Sequence, residues 1–98
     1  MLKSSEFLVL TQKEVKMMRI YDFNGSKNIS GKRIKEARRN MKLSQEELAA
    51  RLQVMGVNIE RDSLSRIEIG TRFVADYEIK ALSQILRVTP AYLLEIDE

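Results

Sequence analysis

Hydrophobic residues between positions 30 and 96 recur at helical spacing in five short segments. In the first segment Ile34, Ala37 and Met41 fall at i, i+3 and i+7, which places them on one face of a helix. The next three segments repeat the pattern with these apolar positions: Leu48, Leu52 and Met55; Leu64 and Ile67; and Ile79, Leu82, Ile85 and Leu86. The last segment is unusually apolar for a chain end, with Tyr92, Leu93, Leu94 and Ile96. Only the tracts 7–10 and 57–59 hint at strand. The pattern therefore predicts an all-α fold of five helices.

Local signals predict where several of these helices begin and end. Ser44 followed three positions later by Glu47 is the pattern of a capping box, so the second helix is expected to begin there. Gly56 and Gly70 are expected to end the second and third helices in the left-handed conformation. The Thr-Pro pair at 89–90 is typical of a helix start and predicts the fifth helix.

The composition argues against an enzyme. The chain has no Cys and no His, so it offers neither a thiolate ligand nor an imidazole base, and it has no Gly-rich phosphate loop. The lack of Cys fits a reducing cytoplasm, and no apolar run is long enough to cross a bilayer. We therefore expect a cytoplasmic binding protein without metal or cofactor and without a membrane partner.

Charge is unevenly distributed along the chain. Residues 30–43 carry six basic side chains against one acidic, whereas residues 73–98 carry five acidic against two basic. A basic front suits a polyanionic partner, and the alternative is an ordinary solvated helix face. The same two alternatives apply to Lys32, Arg33 and Lys35, which are candidates for phosphate contacts.

Residues 1–18 do not continue the helical pattern and are expected to form an N-terminal arm. The stretch Lys13–Met17 could be encoded by codons that resemble a bacterial ribosome-binding site followed by a start codon. A second interpretation is therefore that Met17 or Met18 is the native start, and both interpretations stay open.

Residues 19–29 are predicted to form an ordered lead-in to the first helix. Asn24 and Gly25 are a turn signal. Tyr21 and Phe23 are expected to cover the edge of the helical core.

Three blocks of sequence carry a specific pattern: GKRIKEAR at 31–38, LSQEELA at 43–49 and LSRIEIG at 64–70. In this order they resemble the Cro/C1-type helix-turn-helix family, the lambda-repressor-like family of xenobiotic-response-element regulators. The resemblance covers roughly residues 29–95. It implies a five-helix DNA-binding domain over residues 30–95, with an acidic tail at 96–98. It also implies a transcriptional regulator, in the first place a repressor, that binds double-stranded DNA as a homodimer.

The resemblance implies a set of DNA-contacting residues around the second and third helices. Gln45 matches a glutamine that clamps a phosphate and supports the reading helix, which is the third helix, at about 61–69, and which reads bases in the major groove. The residues at the positions that read bases are Arg61, Asp62, Ser63, Ser65 and Arg66. Arg72 lies in the loop that touches the next phosphate. Arg38 and Glu68 match a pair that forms a buried salt bridge between helices one and three.

Asp62 is unusual in this set because phosphates repel a carboxylate. It could accept a hydrogen bond from cytosine N4, hold Arg61 or Arg66 in position, or cap the third helix. The sequence favours capping, with Glu60 as the competing cap residue.

The link between helices two and three departs from the family pattern, because 53–59 makes it several residues longer than usual. We expect helix two to extend to Met55, with Val57 and Ile59 turned inward on an extended stretch.

The apolar C-terminal helix offers a candidate contact between two copies of the chain, formed by Tyr92, Leu93 and Ile96. The alternative is that these residues complete the core of the monomer. A rival function also stays open, in which the helix-turn-helix is a protein-interaction adaptor or the antitoxin of a toxin–antitoxin pair. The acidic Glu60 and Asp62 beside the reading helix favour that rival.

Overall fold

All five predicted helices are present in the computed structural model of the chain, which describes residues 22–96. They are α1 (Gly31–Asn40), α2 (Gln45–Val54), α3 (Arg61–Ile69), α4 (Asp76–Leu86) and α5 (Pro90–Leu93). Within residues 22–96 no strand forms, and one isolated β-bridge joins Phe23 to Ser26. The all-α prediction is therefore confirmed. The expectations for residues 1–18 and for Tyr21 fall outside the described residues.

The hydrophobic core brings together side chains from every helix. Helix α1 packs against α3, α4 and α5, while α2 packs against α3 and α4. Among residues 22–96, the large apolar side chains that are fully buried are Ile34, Leu48, Leu52, Ile59, Leu64, Ile67, Leu82 and Leu93. None of the helices within residues 22–96 combines the length and apolar character needed to cross a membrane. Helix α3 is thus held on one side by both α1 and α2, which leaves its other side to solvent.

The connector between α2 and α3 follows the predicted path with one exception. Gly56 adopts a φ of +81° and Ile59 is fully buried, while Val57 packs against the edge of the core. Met55 was predicted to lie on the buried stripe, and this is wrong, since Met55 is 45% exposed. Helix α2 already ends at Val54, so Met55 is its C-cap and the chain turns away from the core there.

Three helix ends, at Ser44, Gly70 and Thr89, form as the local sequence predicts. The Glu47 N–H donates to Ser44 Oγ at 3.0 Å, and the Ser44 N–H donates to Glu47 Oε1 at 2.9 Å, which is a complete capping box. Thr89 Oγ1 accepts from the Tyr92 N–H at 3.0 Å. Gly70 ends α3 with a φ of +97°, and a Cβ at this position would meet Ser26 Oγ. These caps are confirmed.

Asn28 ties the segment before α1 to the end of α3, a role that the sequence analysis missed. Its Oδ1 accepts from the Gly31 N–H at 2.8 Å, at the start of α1. Its Nδ2 donates to the carbonyl oxygens of Ile67 at 3.0 Å and Arg72 at 2.7 Å. One side chain therefore satisfies three backbone groups at the junction of α1 and α3.

The predicted turn at 24–25 forms, with φ values of 53° and 85°. The expectation that Phe23 covers the core edge is wrong, because its side chain is 64% exposed. The turn pairs Phe23 with Ser26, and it is Ser26 that approaches Gly70, through Oγ at 3.4 Å from the Gly70 carbonyl oxygen.

Candidate nucleic-acid interface

Helix α3 has one face in the core and one in solvent. Leu64, Ile67 and Glu68 are buried. The five residues that the sequence places at reading positions lie as follows: Arg61, Asp62 and Arg66 are exposed, and Ser63 and Ser65 are half-buried. The structure therefore brings three charged side chains together on the exposed side of α3.

A buried network holds α3 to the other helices. Glu68 accepts from Arg38 through two bonds, Nε to Oε2 at 2.7 Å and Nη2 to Oε1 at 3.0 Å. Arg38 Nη1 also donates to the Leu43 carbonyl oxygen at 2.8 Å, so the turn after α1 joins the network. Hydrogen bonding to Glu68 raises the pKa of Arg38 although burial opposes it, and the guanidinium stays charged. This fork between α1 and α3 fixes the rotation of α3.

Gln45 is the first residue of α2 and connects that helix to the same network. Its Nε2 donates to Glu68 Oε1 at 3.1 Å, and its side chain is half-buried. The structure thus places Gln45 where it supports α3 from the start of α2.

Arg61 opens α3 and lies between two carboxylates. Its Nη1 donates to Asp62 Oδ1 at 3.0 Å, and its Nε lies 4.0 Å from Glu46 Oε1 on α2. The side chain of Arg61 remains 56% exposed. The guanidinium is therefore oriented by neighbours while it stays accessible.

The prediction that Asp62 caps α3 is wrong. The residue with the extended backbone of an N-cap is Glu60, with φ −84° and ψ 168°, and its side chain makes no capping bond. Asp62 is the second residue inside the helix, and its carboxylate contacts Arg61. Of the three interpretations left open for Asp62, the structure excludes capping and contains a hydrogen bond to Arg61.

Arg72 is engaged within the loop between α3 and α4. Its Nη1 and Nη2 donate to Glu78 Oε1 and Oε2, both at 3.1 Å, and the Glu78 side chain is only 4% exposed. Glu78 Oε1 also accepts from the Ala75 N–H at 2.9 Å. The sequence alone does not predict this pair, because a loop residue and a helix residue share no periodic spacing. A phosphate contact by Arg72 would have to form beside this pair or in exchange for it.

Helix α1 carries a basic exposed side. Lys32, Lys35 and Arg39 are exposed, and the last two line a groove together with Ser44, Gln45, Glu46, Arg38 and Arg61. Arg33 differs, because its Nη1 donates to the Tyr92 carbonyl oxygen at 2.7 Å and its guanidinium lies 4.8 Å from the Tyr92 ring centre. Arg33 therefore joins α1 to α5, while Lys35 and Arg39 are the exposed basic residues of α1 that line the groove between α1, α2 and α3.

The three residues proposed as a contact between copies do not share one surface. Leu93 is fully buried in the core of its own chain, so the prediction is wrong for Leu93. Helix α5 has a single turn that must close the core against α1 and α4, and Leu93 is the side chain that does so. Tyr92 is half-buried, and Ile96 is 58% exposed.

Helices α2 and α3, joined by a connector and packed among three further helices, define a helix-turn-helix domain, the class of protein whose second helix enters the major groove of DNA. Comparison with known proteins agrees with this class. A helix-turn-helix family model matches residues 34–93, which span the helices from within α1 to α5. The chain belongs to the Cro/C1-type helix-turn-helix family.

A solved structure resembles the chain over most of its described length. It is the P22 c2 repressor protein in complex with the synthetic operator 9T in the presence of Tl+. The two proteins share 26% sequence identity with a TM-score of 0.61, and the match covers 71% of this chain and 98% of that chain. Among curated proteins, none matches the sequence. The resemblance to the family that the sequence indicates is thus confirmed, and the family consists of DNA-binding regulators, which are not a class of enzyme.

Proposed function

We propose that this chain is a transcriptional repressor that binds double-stranded DNA as a homodimer and reads the major groove with α3. The observation that carries the proposal is the division of α3 into two faces. Glu68 and two apolar residues anchor one face, and Arg61 and Arg66 stand exposed on the other. A helix fixed on one side with forked donors on the other has the arrangement that direct readout of bases requires.

The two exposed arginines suit two positions of one half-site. Arg66 follows Arg61 by five positions, so the two residues lie about 7.5 Å apart along the helix axis at a rise of about 1.5 Å per residue. Base pairs follow one another at about 3.4 Å, so the two side chains address bases about two steps apart. Each guanidinium can donate to O6 and N7 of guanine. Ser63 and Ser65 are half-buried and supply shorter contacts along the same helix.

The surroundings of α3 supply the contacts to phosphate. Gln45 at the start of α2 and the exposed Lys35 and Arg39 border the same groove as Arg61. Each basic residue that neutralises a phosphate adds about 0.9 to the slope of log affinity against log salt. We therefore expect binding that weakens steeply as the salt concentration rises.

The repressor role and the homodimer rest on the size of the site and on similarity. One helix-turn-helix reads only a few base pairs, so useful specificity needs two copies on a symmetric operator. The similarity to the P22 c2 repressor spans nearly all of that chain. The proposed domain spans residues 30–95, and the proposed contact between copies is now Tyr92, near its end, with Ile96, which follows it directly.

Fluorescence polarisation tests the proposal with labelled DNA from upstream of the chain's own gene. We expect sequence-dependent, salt-sensitive binding that Arg66→Ala weakens strongly. Lys80→Ala is the matched control, because it removes the same charge from an exposed position on α4 and should leave binding nearly unchanged. Equal binding to all duplexes, or equal effects of the two variants, would contradict the proposed reading role of α3.

An adaptor or antitoxin is the second candidate, and the connector is the observation that favours it. At the carboxyl end of α2, where the connector begins, Val54 is 89% exposed and Met55 is 45% exposed. Such apolar exposure is typical of contact with another protein. A partner that co-purifies with the chain, together with no DNA binding in the polarisation assay, would support this candidate in place of the repressor.

A further inference from the structure

The exposed surface around the start of α3 carries more negative charge than a DNA-binding surface needs. Glu46, Glu60 and Asp62 are all exposed there, next to Arg61. Each of these carboxylates is repelled by the phosphates of any duplex, whatever its sequence. Two of the three contact Arg61, Asp62 by a hydrogen bond of 3.0 Å and Glu46 by an ion pair of 4.0 Å.

We propose that Asp62 and Glu46 are positioning residues that determine specificity, because they hold Arg61 as a fixed fork for one guanine in each half-site. The proposal rests on the reading role of α3 proposed above. It adds that the carboxylates turn a flexible cation into a selective donor, and that they weaken binding to every duplex without guanine at that position.

The geometry of the guanidinium supports this role. Arginine has five N–H donors in one plane. Asp62 occupies one hydrogen of Nη1, and Glu46 lies on the Nε side. The Nη2 amino group and the second hydrogen of Nη1 remain at the outer end of the side chain. This end-on pair of donors is what O6 and N7 of guanine accept.

Fixing the guanidinium also lowers the cost of making the contact. A free arginine side chain loses several rotatable bonds of conformational freedom when it docks on a base. Asp62 restricts that freedom before DNA arrives, so a guanine in the right place gains more from Arg61. No other base presents two adjacent acceptors in the major groove, so the pair of donors gains less there and compensates less of the repulsion between carboxylates and phosphates.

Glu60 separates positioning from plain repulsion. Glu60 lies next to Arg61 in the chain and carries the same negative charge as Glu46 and Asp62. The ion pairs of Arg61, however, are with Glu46 and Asp62. Glu60→Gln should therefore raise the affinity for random DNA without altering the preference for guanine. Asp62→Asn and Glu46→Gln should raise the affinity for random DNA and reduce that preference as well.

The test is selection from a randomised DNA library with the full chain, followed by polarisation with single-base variants of the selected site. We expect the wild type to enrich guanine at one position of each half-site, with a preference of roughly 5- to 100-fold over other bases. Asp62→Asn should lower this preference by up to about fivefold, since its contact with Arg61 is an exposed ion pair. Glu46→Gln should lower it less, and Asp62→Glu should keep more of it than Asp62→Asn. Arg61→Lys should lose it, because an ammonium group has no fork.

Several outcomes would overturn the positioning role. One is that Asp62→Asn keeps the full preference for guanine. Another is that Asp62→Asn loses affinity by the same factor for all DNA sequences. A third is a guanine preference that survives Arg61→Lys. A wild type that selects no sequence at all would instead contradict the proposed function, so the two failures can be told apart. Asp62 is 78% exposed, and thermal melts should therefore show that the variants stay folded.

Discussion

Replacement of Glu68 by alanine would leave the buried guanidinium of Arg38 without its carboxylate. In the native protein this carboxylate accepts two hydrogen bonds from Arg38 and one from Gln45. The variant would keep the charge of Arg38 in place but remove the group that compensates it. We therefore expect a large loss in the free energy of unfolding.

The burial of the pair sets the magnitude. The side chains are 10% exposed for Arg38 and 2% exposed for Glu68. Removal of one partner from a buried pair costs about 3–5 kcal/mol, whereas an exposed pair contributes at most about 1 kcal/mol. Arg38 keeps its bond to the Leu43 carbonyl oxygen at 2.8 Å, which places the expected loss near 3 kcal/mol. In a domain of this size, such a loss lowers Tm by roughly 12–24 °C.

Thermal unfolding followed by circular dichroism measures this effect. Glu36→Ala is the matched control, since Glu36 is an exposed glutamate on α1 and should change stability by less than about 0.5 kcal/mol. A double variant, Arg38→Met with Glu68→Leu, should recover most of the lost stability because it leaves no unpaired charge. A Glu68→Ala melt that matches Glu36→Ala would refute the reasoning from burial. A double variant no more stable than the single one would refute the role of the unpaired charge.

Three further predictions concern other contacts of the domain. Gln45→Ala should cost at most about 1 kcal/mol but weaken binding to every duplex in polarisation assays, and a loss confined to one base pair would contradict the phosphate clamp. Asn28→Ala removes one hydrogen bond from each of three backbone groups, although the Ile67 carbonyl oxygen keeps its bond from the Gly70 N–H, and should cost about 2 kcal/mol in urea unfolding; an unchanged midpoint would exclude this role. Hydrogen bonds from Ser44 lower the pKa of Glu47 in the folded protein. The stability that ionised Glu47 contributes to the fold is therefore complete above the ordinary pKa of 4.5 and is lost as the pH falls through the lowered pKa. Between about pH 5 and pH 3, Glu47→Gln should therefore lose less Tm than the wild type, and equal losses would contradict the assignment.

The helices and their ends could be predicted from sequence because their causes are local. The Ser44 capping box acts over three residues, and Gly70 needs no partner to adopt its positive φ. The burial of α3 followed from the spacing of Leu64 and Ile67, which restricts the exposed side to a few positions. These short-range signals were enough to predict helix α3 and its exposed face, but not its N-cap residue.

The missed contacts join residues that no local pattern connects. Asn28 bonds to residues 39 and 44 positions away, and Arg33 reaches the Tyr92 carbonyl 59 positions away. The longer connector hid the start of α3, so Asp62 was assigned as a cap when Glu60 holds that backbone position. Leu93 was misjudged for a related reason, because the sequence shows that it is apolar but not which surface it covers.

The bonds of Asn28 also bear on the order in which the domain assembles. Residues 39 and 44 positions apart must meet before these bonds can form, and closing so long a loop costs chain entropy. The carboxyl end of α3 therefore settles only when the segment preceding α1 has arrived, and the two become one cooperative unit. A shortened protein that starts at Ser30 would still contain all five helices. Its α3 would fray from the Ile67 end, opposite the end that carries Arg61.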